Sequence, residues 1–460
     1  MIAYTIKMKS ILLFFFIIFS IPLFAQDDQS KPELTFNLSD DGSSYAGIKM
    51  AGQMWTRYIW NNPDITGVNQ YGDIDFGIRR SRMIVYANLL DRVFIYSQLG
   101  ADNMTYHSLQ KESFGLIDAQ VDFVVSKSRL NIGFGLNSWN GISRYNNSDF
   151  SSFLLLDQPG FTTPLSDSFD RSGSQLGIFA HGTIAKLQYR VGLTKPFETG
   201  VDSVSTPFTT TRINENFAFK GYFSWQFFDT ENSLFPFMTM NNLGRSKLLS
   251  IGAGFYYHPE AMLVEAEKDL STVDPFIAGW LIANGQEYLL PQFADYFPSK
   301  ISDIFIASVD AFLDIPVRGN GAITSYLAYY YNFFGSNYLQ SMATMNVSRL
   351  SIAQSLPQGM GNSQWETGTG HILHGEAGYL IPGSTAKNLF QPFGAFTIKS
   401  FEGLDETSFQ FDAGVNWLMY NHNIKWTLQY SSRPIYTVEN ELSIWTSSKG
   451  QLTLQAQVSF

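Results

Sequence analysis

The chain has 460 residues, 45% of them hydrophobic and 16% aromatic, and carries a formal net charge of −10 at pH 7. An acidic balance of this size does not suit the phosphate backbone of nucleic acid, so no nucleic-acid partner is expected. A mean hydropathy of −0.06 is too polar for a bundle of membrane helices, and a chain without cysteine has neither disulfides nor a lipidated cysteine.

Residues 1–25 have the pattern of a secretory signal peptide. Lys7 and Lys9 precede an apolar run, and Ala25 supplies the small residue at its exit. The run is shorter than the roughly 20 residues of a spanning helix and contains Pro22, which disfavours a membrane anchor. Cleavage after Ala25 removes the two lysines and takes the net charge from −10 to −12. Residues 26–44 follow as a short polar segment.

Strand-like segments recur through residues 45–460. In one of them, Ile117 and Val121 share a face, and Asp118 and Asp122 share the opposite face. Most segments match the roughly 9–11 residues with which a tilted strand crosses a bilayer. We therefore predict an all-β fold, a transmembrane antiparallel β-barrel of about 16 strands. The predicted strands are 45–58, 74–87, 93–103, 115–125, 129–137, 173–181, 184–193, 216–228, 248–257, 303–314, 322–332, 371–380, 390–399, 407–419, 423–431 and 449–460.

The last segment alternates most regularly. Leu452, Leu454 and Val458 lie on one face, and Gln455 and Gln457 on the other. This pattern predicts the closing strand of the barrel, paired with 45–58, with its apolar face toward lipid. Its polar face is uncharged, so any charge selectivity must come from the early strands and the long third loop.

The connections between the predicted strands alternate in length. Outer-membrane barrels have short periplasmic turns and longer outer loops. Two connections fit less well, since 229–247 is long for a turn and 400–406 is short for an outer loop. A soluble array of β-sandwiches is the alternative, but it does not explain this alternation or the aromatic residues at the strand ends. The long connections are 59–72, 138–172, 194–215, 258–302, 333–370 and 432–448.

No catalytic motif stands out in the sequence, so no enzymatic activity is expected. His371 and His374 fall on opposite faces of a strand, so they do not form a metal site, and neither metal nor cofactor is expected. The candidate functional residues are the charged and polar side chains predicted to face the lumen. They would either filter small solutes or only keep the wall hydrated. The candidates are Lys49, Gln53, Arg57, Arg79, Arg82, Asp118, Asp122, Arg144, Asp149, Lys186, Arg190, Lys220, Glu376, Asp412 and Lys425.

The segment 138–172 is the candidate constriction loop. It is long, aromatic and carries both charge signs, as in Arg144, Asp149 and Asp157. Folded inward it would narrow the lumen, and folded outward it would only cap the barrel. Both arrangements remain open. In the second strand, charge interrupts both faces at Arg79-Arg80-Ser81-Arg82, which predicts a bulge or a position near the rim.

Two stretches of sequence resemble a known family. The early hairpin, Asp75–Tyr86 followed by Phe94–Gln98, and the late element Asp412–Trp426 are similar to the phosphate-selective porin O and P family of outer-membrane porins. The segment from Asn131 through Asp157 lies where that family has a strand and an infolding loop. The aromatic-rich sequence and the Phe-Ala-Gln signal exit resemble exports of Bacteroidota. The resemblance implies a sixteen-stranded, trimeric channel of the bacterial outer membrane.

The chain departs from the family where phosphate selectivity would arise. In phosphate-selective members, ranked lysines and arginines line the pore, whereas segment 138–172 has no lysine and acids occur on the inward faces. We therefore expect only weak ion selectivity. Neutralising Arg57, Arg144 and Arg190 together is expected to shift the reversal potential toward cations.

The leading functional prediction is an outer-membrane porin for passive diffusion of small hydrophilic solutes or ions. The expected partners are outer-membrane lipid, small polar solutes or ions, and two further copies in a homotrimer. One alternative is a surface-binding barrel whose loops 258–302 and 333–370 recognise a partner. Another is an outer-membrane lipase or protease, because a catalytic triad assembles in space rather than in sequence.

Overall fold

The computed structural model describes most of the chain. The predicted signal peptide 1–25 lies outside the described residues, so it stays a prediction. The described residues are 34–63, 70–105, 114–126, 128–139, 141–165, 174–196, 211–212, 216–231, 235–269, 271, 273–292, 295–342, 364–383, 388–439 and 442–460.

Sixteen antiparallel strands form the wall of a barrel, one for each predicted strand. Among the described residues, four further short strands lie outside the ring, at Leu34–Asn37, Thr211–Arg212, Leu339–Met342 and Gln364–Gly368. The barrel strands are β1 (Tyr45–Pro63), β2 (Gln70–Leu89), β3 (Val93–Thr105), β4 (Gly115–Ser126), β5 (Leu130–Asn137), β6 (Gln175–Ile184), β7 (Leu187–Pro196), β8 (Ala218–Gln226), β9 (Leu248–Asp269), β10 (Asp295–Val317), β11 (Gly321–Phe333), β12 (Gly370–Leu380), β13 (Leu389–Phe401), β14 (Ser408–Tyr420), β15 (Ile424–Glu439) and β16 (Leu442–Ser459).

The ring closes where the first and last strands meet. Ala51 of β1 lies opposite Ser459 of β16. Beyond this pair, the main chains of Met50 and Phe460 exchange two hydrogen bonds of 2.7 and 2.9 Å. The closing strand and its predicted partner are thus confirmed, and the closed ring removes the unpaired edge that an open sheet would expose.

Side-chain alternation separates the two faces of the wall. In β1, Gln53 and Arg57 are 1% and 2% exposed, whereas Met54 between them is 60% exposed. The same parity holds in β12, where His374 is buried and His371 is exposed, as predicted. The outer surface is therefore apolar and the inner surface polar, which is the arrangement that lipid requires.

Three predicted outer loops are largely strand. β9 and β10 remain paired out to Asp269 and Asp295, so the loop predicted at 258–302 is a long hairpin. β15 and β16 likewise pair as far as Glu439 and Leu442, and β1 and β2 as far as Pro63 and Gln70. Beyond the lipid bilayer, both faces of a strand are in contact with water rather than one with lipid. The alternation of apolar and polar residues that predicts a strand is therefore lost there.

One α-helix, α1 (Pro275–Ala283), lies between β9 and β10. It begins where the Asp274 carboxylate accepts N–H bonds from Phe276 and Ile277 at 2.8 and 3.2 Å. Among the described residues, none of the helices has the length and apolar character needed to cross a membrane. Short 3-10 helices occur at Tyr145–Asn147, Phe150–Ser152, Gly160–Thr162 and Glu287–Gln292.

A β-bulge interrupts β2 at the arginine cluster. Gln53 of β1 pairs with Arg80, and the next residue, Met54, pairs with Ile78, so that Arg79 is the extra residue. The bulge allows Arg79 and Arg80 both to be buried, together with Arg82. The predicted bulge is confirmed, and it concentrates three guanidinium groups on one part of the inner wall.

Candidate functional site

The loop after β5 lies inside the barrel. Residues 141–156 are buried apart from Asp149 and Phe150, which are half-buried. Gly141 has a φ of 72°, a left-handed conformation that glycine adopts without strain, at the point where the loop turns inward. Gly254 of β9 has no side chain, so the loop backbone at Ile142 packs directly against the wall.

Polar contacts attach the loop to strands on several sides of the lumen. The Arg144 N–H donates to the Asp310 carboxylate at 2.8 Å, and Tyr145 donates to Glu376. Farther along, the Leu156 N–H donates to the Gln429 side chain at 2.8 Å. These bonds satisfy backbone groups that would otherwise be buried without partners.

Two loop carboxylates face the cations of β1 and β2. Lys49 lies 3.2 Å from Asp149, and Asp157 accepts from Arg79 and Arg80 at 2.6 and 2.7 Å. Burial alone would raise the pKa of both carboxyl groups, but Lys49 in one case and the two arginines in the other outweigh it and lower the pKa. Both acids are therefore charged at neutral pH.

The long connection between β8 and β9 also enters the lumen. Its residues 235–247 meet the loop through a parallel bridge between Ser148 and Met238. The Arg144 guanidinium binds Glu231 with two bonds of 2.6 and 2.8 Å, and Arg190 donates to the Phe235 carbonyl at 2.9 Å. A bidentate pair of this kind fixes both distance and orientation.

The same connection reaches the opposite wall. The Asn242 and Gly244 N–H groups donate to Asp314 of β10 at 2.9 and 2.8 Å, and Asn241 donates to Gln391 of β13 at 2.8 Å. His422, in the turn after β14, donates to the Asn241 carbonyl at 2.6 Å. Burial lowers the pKa of His422 to about 3, so this imidazole is neutral at ordinary pH. The segment therefore crosses the periplasmic end of the barrel.

A cavity of about 330 Å³ remains between the loop, the connection and the wall formed by β1 to β4. Its lining combines cations with aromatic rings. Phe150 of the loop contacts the cations, with the guanidinium carbons of Arg80 and Arg82 at 5.7 and 5.8 Å from its ring centre. The charged lining residues are Lys49, Arg79, Arg80, Arg82, Asp102 and Asp149, and the aromatic ones are Tyr86, Tyr96, Tyr145, Phe150, Phe153, Phe235 and Phe237.

A second cavity of about 110 Å³ lies on the other side of the loop. The charged residues that line it are Arg57, Asp157, Glu366, Lys399 and Asp412. Arg57 is ion-paired with Asp75 and Lys399 with Glu366, so both cations already have carboxylate partners. Gln158 borders both cavities, which places the tip of the loop between them.

The fifteen predicted site residues fall into four groups. Lys49, Arg79, Arg82 and Asp149 line the larger cavity, and Arg57 and Asp412 line the smaller one. Lys186 is a correction, because it lies in the turn between β6 and β7 and donates to the Phe228 carbonyl rather than lining the lumen. The other eight are buried in contacts and line neither cavity, namely Gln53, Asp118, Asp122, Arg144, Arg190, Lys220, Glu376 and Lys425.

Several lining residues were not among the predicted ones. Arg80 was not among the predicted residues, although strand parity places it on the same face as Arg82 and opposite Arg79, and the bulge at Arg79 is what buries Arg79 and Arg80 together. Phe235 and Phe237 were missed because their segment lacks strand alternation. An available signal was the apolar sequence Leu234–Met240 within a turn of unusual length.

These features define a class. A closed antiparallel ring with an apolar outer face and a charged, loop-filled interior is a transmembrane β-barrel of the bacterial outer membrane. Among the described residues, no group of three or more His, Cys, Asp or Glu side chains could hold a metal ion.

No protein-family model matches the chain, and no curated protein matches it. Similar solved structures include OprB of Pseudomonas putida, at 11% identity and a TM-score of 0.49 over 91% of this chain and 95% of that one. The channel DcaP of Acinetobacter baumannii has 10% identity and a TM-score of 0.49 over 92% and 99%. An anion-selective porin from Comamonas acidovorans has 9% identity and a TM-score of 0.48 over 91% and 100%. At this degree of likeness, the barrel assignment rests on the strand pairing of the chain itself.

Proposed function

We propose that this protein is a passive porin, through which small hydrophilic solutes or ions diffuse without covalent chemistry. The observation that supports it is the larger cavity, which is bordered by Gln158 and Thr163 of the loop and by Phe235 and Phe237 of the periplasmic connection. It therefore extends between the two segments that fill the barrel. Within this proposal, 138–172 is the constriction loop and the barrel assembles as a homotrimer.

Single-channel recording in planar bilayers tests the proposal. We expect steady, ohmic current steps from the purified protein. The chain has no cysteine, so a single thiol can be introduced without background. In Thr239→Cys, whose side chain would border the larger cavity, a charged methanethiosulfonate reagent should reduce the step size.

The matched control is Thr35→Cys, an exposed position on the short strand beside β1 that borders neither cavity. Its conductance should not change with the reagent. A folded, inserted barrel that never conducts would contradict the porin proposal and favour the surface-binding alternative. Equal effects of the reagent on both variants would mean that the cavity is not the solute path.

A further inference from the structure

Each cation of the larger cavity already contacts a carboxylate. Lys49 contacts Asp149 at 3.2 Å, Arg82 contacts Asp102 at 2.6 Å, and Asp157 accepts from both Arg79 and Arg80. A free anion would have to compete with these carboxylates for the same donors. A neutral solute with hydroxyl groups would not, because it can accept from a guanidinium and donate to a carboxylate without breaking the pair.

Aromatic rings also line the cavity. Phe235 packs edge-on against Tyr86 and Phe94, with ring centres 5.4 and 5.3 Å apart, and Phe237 packs against Tyr96 at 5.9 Å. Phe235 and Phe237 come from the periplasmic connection rather than from the barrel wall. The connection thus adds an apolar surface to the cavity that the cations of β2 also line.

Paired charges and aromatic rings at one cavity match one class of solute. A sugar ring carries hydroxyl groups at its edge and C–H groups on its faces, so it can meet both surfaces at once. An inorganic anion such as phosphate has no apolar face to place against the rings. A cavity of about 330 Å³ lies at the lower end of the ~300–1,000 Å³ range of small-ligand sites, which suits one small ring.

We propose that the larger cavity is a binding site for a neutral hydroxylated ring, that is, a small sugar. The paired charges of β1 and β2 hydrogen-bond its hydroxyl groups, and Phe235 and Phe237 contact its apolar face. This proposal names the class of solute for the porin proposed above. Passage of the sugar rests on that porin function, whereas binding of the sugar does not.

Isothermal titration of the detergent-solubilised protein tests the site directly. The probes are D-glucose, D-mannitol as an open-chain polyol of similar size, sodium benzoate as a ring-bearing anion, and inorganic phosphate. We expect glucose to bind in the millimolar range and at least about five-fold more tightly than mannitol, since only glucose offers a ring face. Equal binding of mannitol, or tighter binding of benzoate or phosphate than of glucose, would overturn the proposal.

Two variants assign the site to the connection. Phe237→Ala and Phe237→Leu should each weaken glucose binding by about five-fold, and the leucine variant keeps most of the bulk if the alanine variant folds poorly. The matched control, Phe134→Ala, removes a ring from the lipid-facing side of β5, where 44% of it is exposed. Unchanged glucose binding in the folded Phe237→Leu protein would contradict the assignment.

The two proposals can fail separately. Glucose binding in a barrel that does not conduct would remove the porin function and leave the sugar site. Ohmic conductance without any preference for glucose over mannitol, in titration and in liposome swelling, would leave the porin and remove the sugar site.

Discussion

At the scale of single residues, Asp157 is the side chain on which the charge balance of the cavity depends. It accepts from Arg79 and Arg80 at 2.6 and 2.7 Å, so one carboxylate offsets two guanidinium groups. In Asp157→Asn, both cations keep their charge and lose this partner. A unit charge about 4 Å from an ion contributes about 1 kcal/mol even in water, a factor of about five. We therefore expect the chloride-to-potassium permeability ratio to rise several-fold, measured as a reversal potential in a salt gradient.

The matched control is Asp40→Asn, which removes the same charge from an exposed position in the N-terminal segment and should leave the ratio unchanged. Because the two arginines outweigh burial and lower the pKa of Asp157, its charge persists below the ordinary value of about 3.9. The stabilisation from this shift is present above pH 3.9 and is lost as pH falls through the lowered pKa. The chloride-to-potassium permeability ratios of wild type and Asp157→Asn should thus differ from neutral pH down to about pH 4. Equal ratios at pH 7 would contradict the role of Asp157.

Strand parity was sufficient to assign many inward side chains, but not their partners. Gln53, Arg57 and Asp118 follow from alternation and are buried as that alternation requires. Arg144 contacts Glu231, and Arg190 contacts the Phe235 carbonyl. Both partners lie in a segment without strand alternation, so no local sequence pattern predicts these contacts. The expected shift toward cations on neutralising Arg57, Arg144 and Arg190 together stays a prediction, and of the three only Arg57 borders either of the two described cavities.

At the scale of elements, the connection 227–247 restricts the periplasmic end of the barrel. It is attached to β10 through Asp314 and to β13 through Gln391, so it spans the lumen. Replacing residues 235–243 by a short Gly-Ser linker removes this obstruction while leaving β8 and β9 paired. We expect single-channel conductance to rise by about two-fold or more, because a hydrated opening replaces packed side chains.

The matched control inserts the same linker at Gly319, in the turn between β10 and β11 at the same end of the barrel. Gly319 has φ +76° in a short turn that borders neither cavity, so the insertion should not change the current. Unchanged conductance after replacement of 235–243 would show that the connection does not limit the path. A rise in both variants would point to general loosening of the barrel.

The strands were predictable from the sequence where one face contacts lipid and the other faces the lumen, and not elsewhere. All sixteen strands follow from the alternation of lipid-facing and lumen-facing side chains. The outer arms of β9 and β10 beyond Met262 pair mainly with each other, and the adjacent charges of Glu267 and Lys268 interrupt the pattern. Whether 138–172 folds inward stayed open in the sequence, because the attachment of its described part, 141–165, depends on wall residues far along the chain, such as Asp310 and Gln429.

At the scale of the whole molecule, the net charge of the chain and the net charge of the side chains that line the larger cavity have opposite signs. The full chain carries −10, whereas the described residues that line the larger cavity include four cations and two carboxylates. Even with Asp157 counted, the cations exceed the acids by one. The acidic excess of the protein therefore lies mainly away from the larger cavity.

This separation predicts a selectivity that depends on salt. The Debye length is about 10 Å at 0.1 M and about 3 Å at 1 M, so distant acidic groups act on an entering ion only in dilute salt. Near 1 M, only the cations and carboxylates in contact with the path contribute. We expect reversal potentials that indicate weak anion preference at high salt and a shift toward cations as the mean salt concentration falls to 0.1 M. A cation preference that grows with salt would contradict the placement of the path along Arg79, Arg80 and Arg82, because screening can only remove the influence of charges that lie farther away.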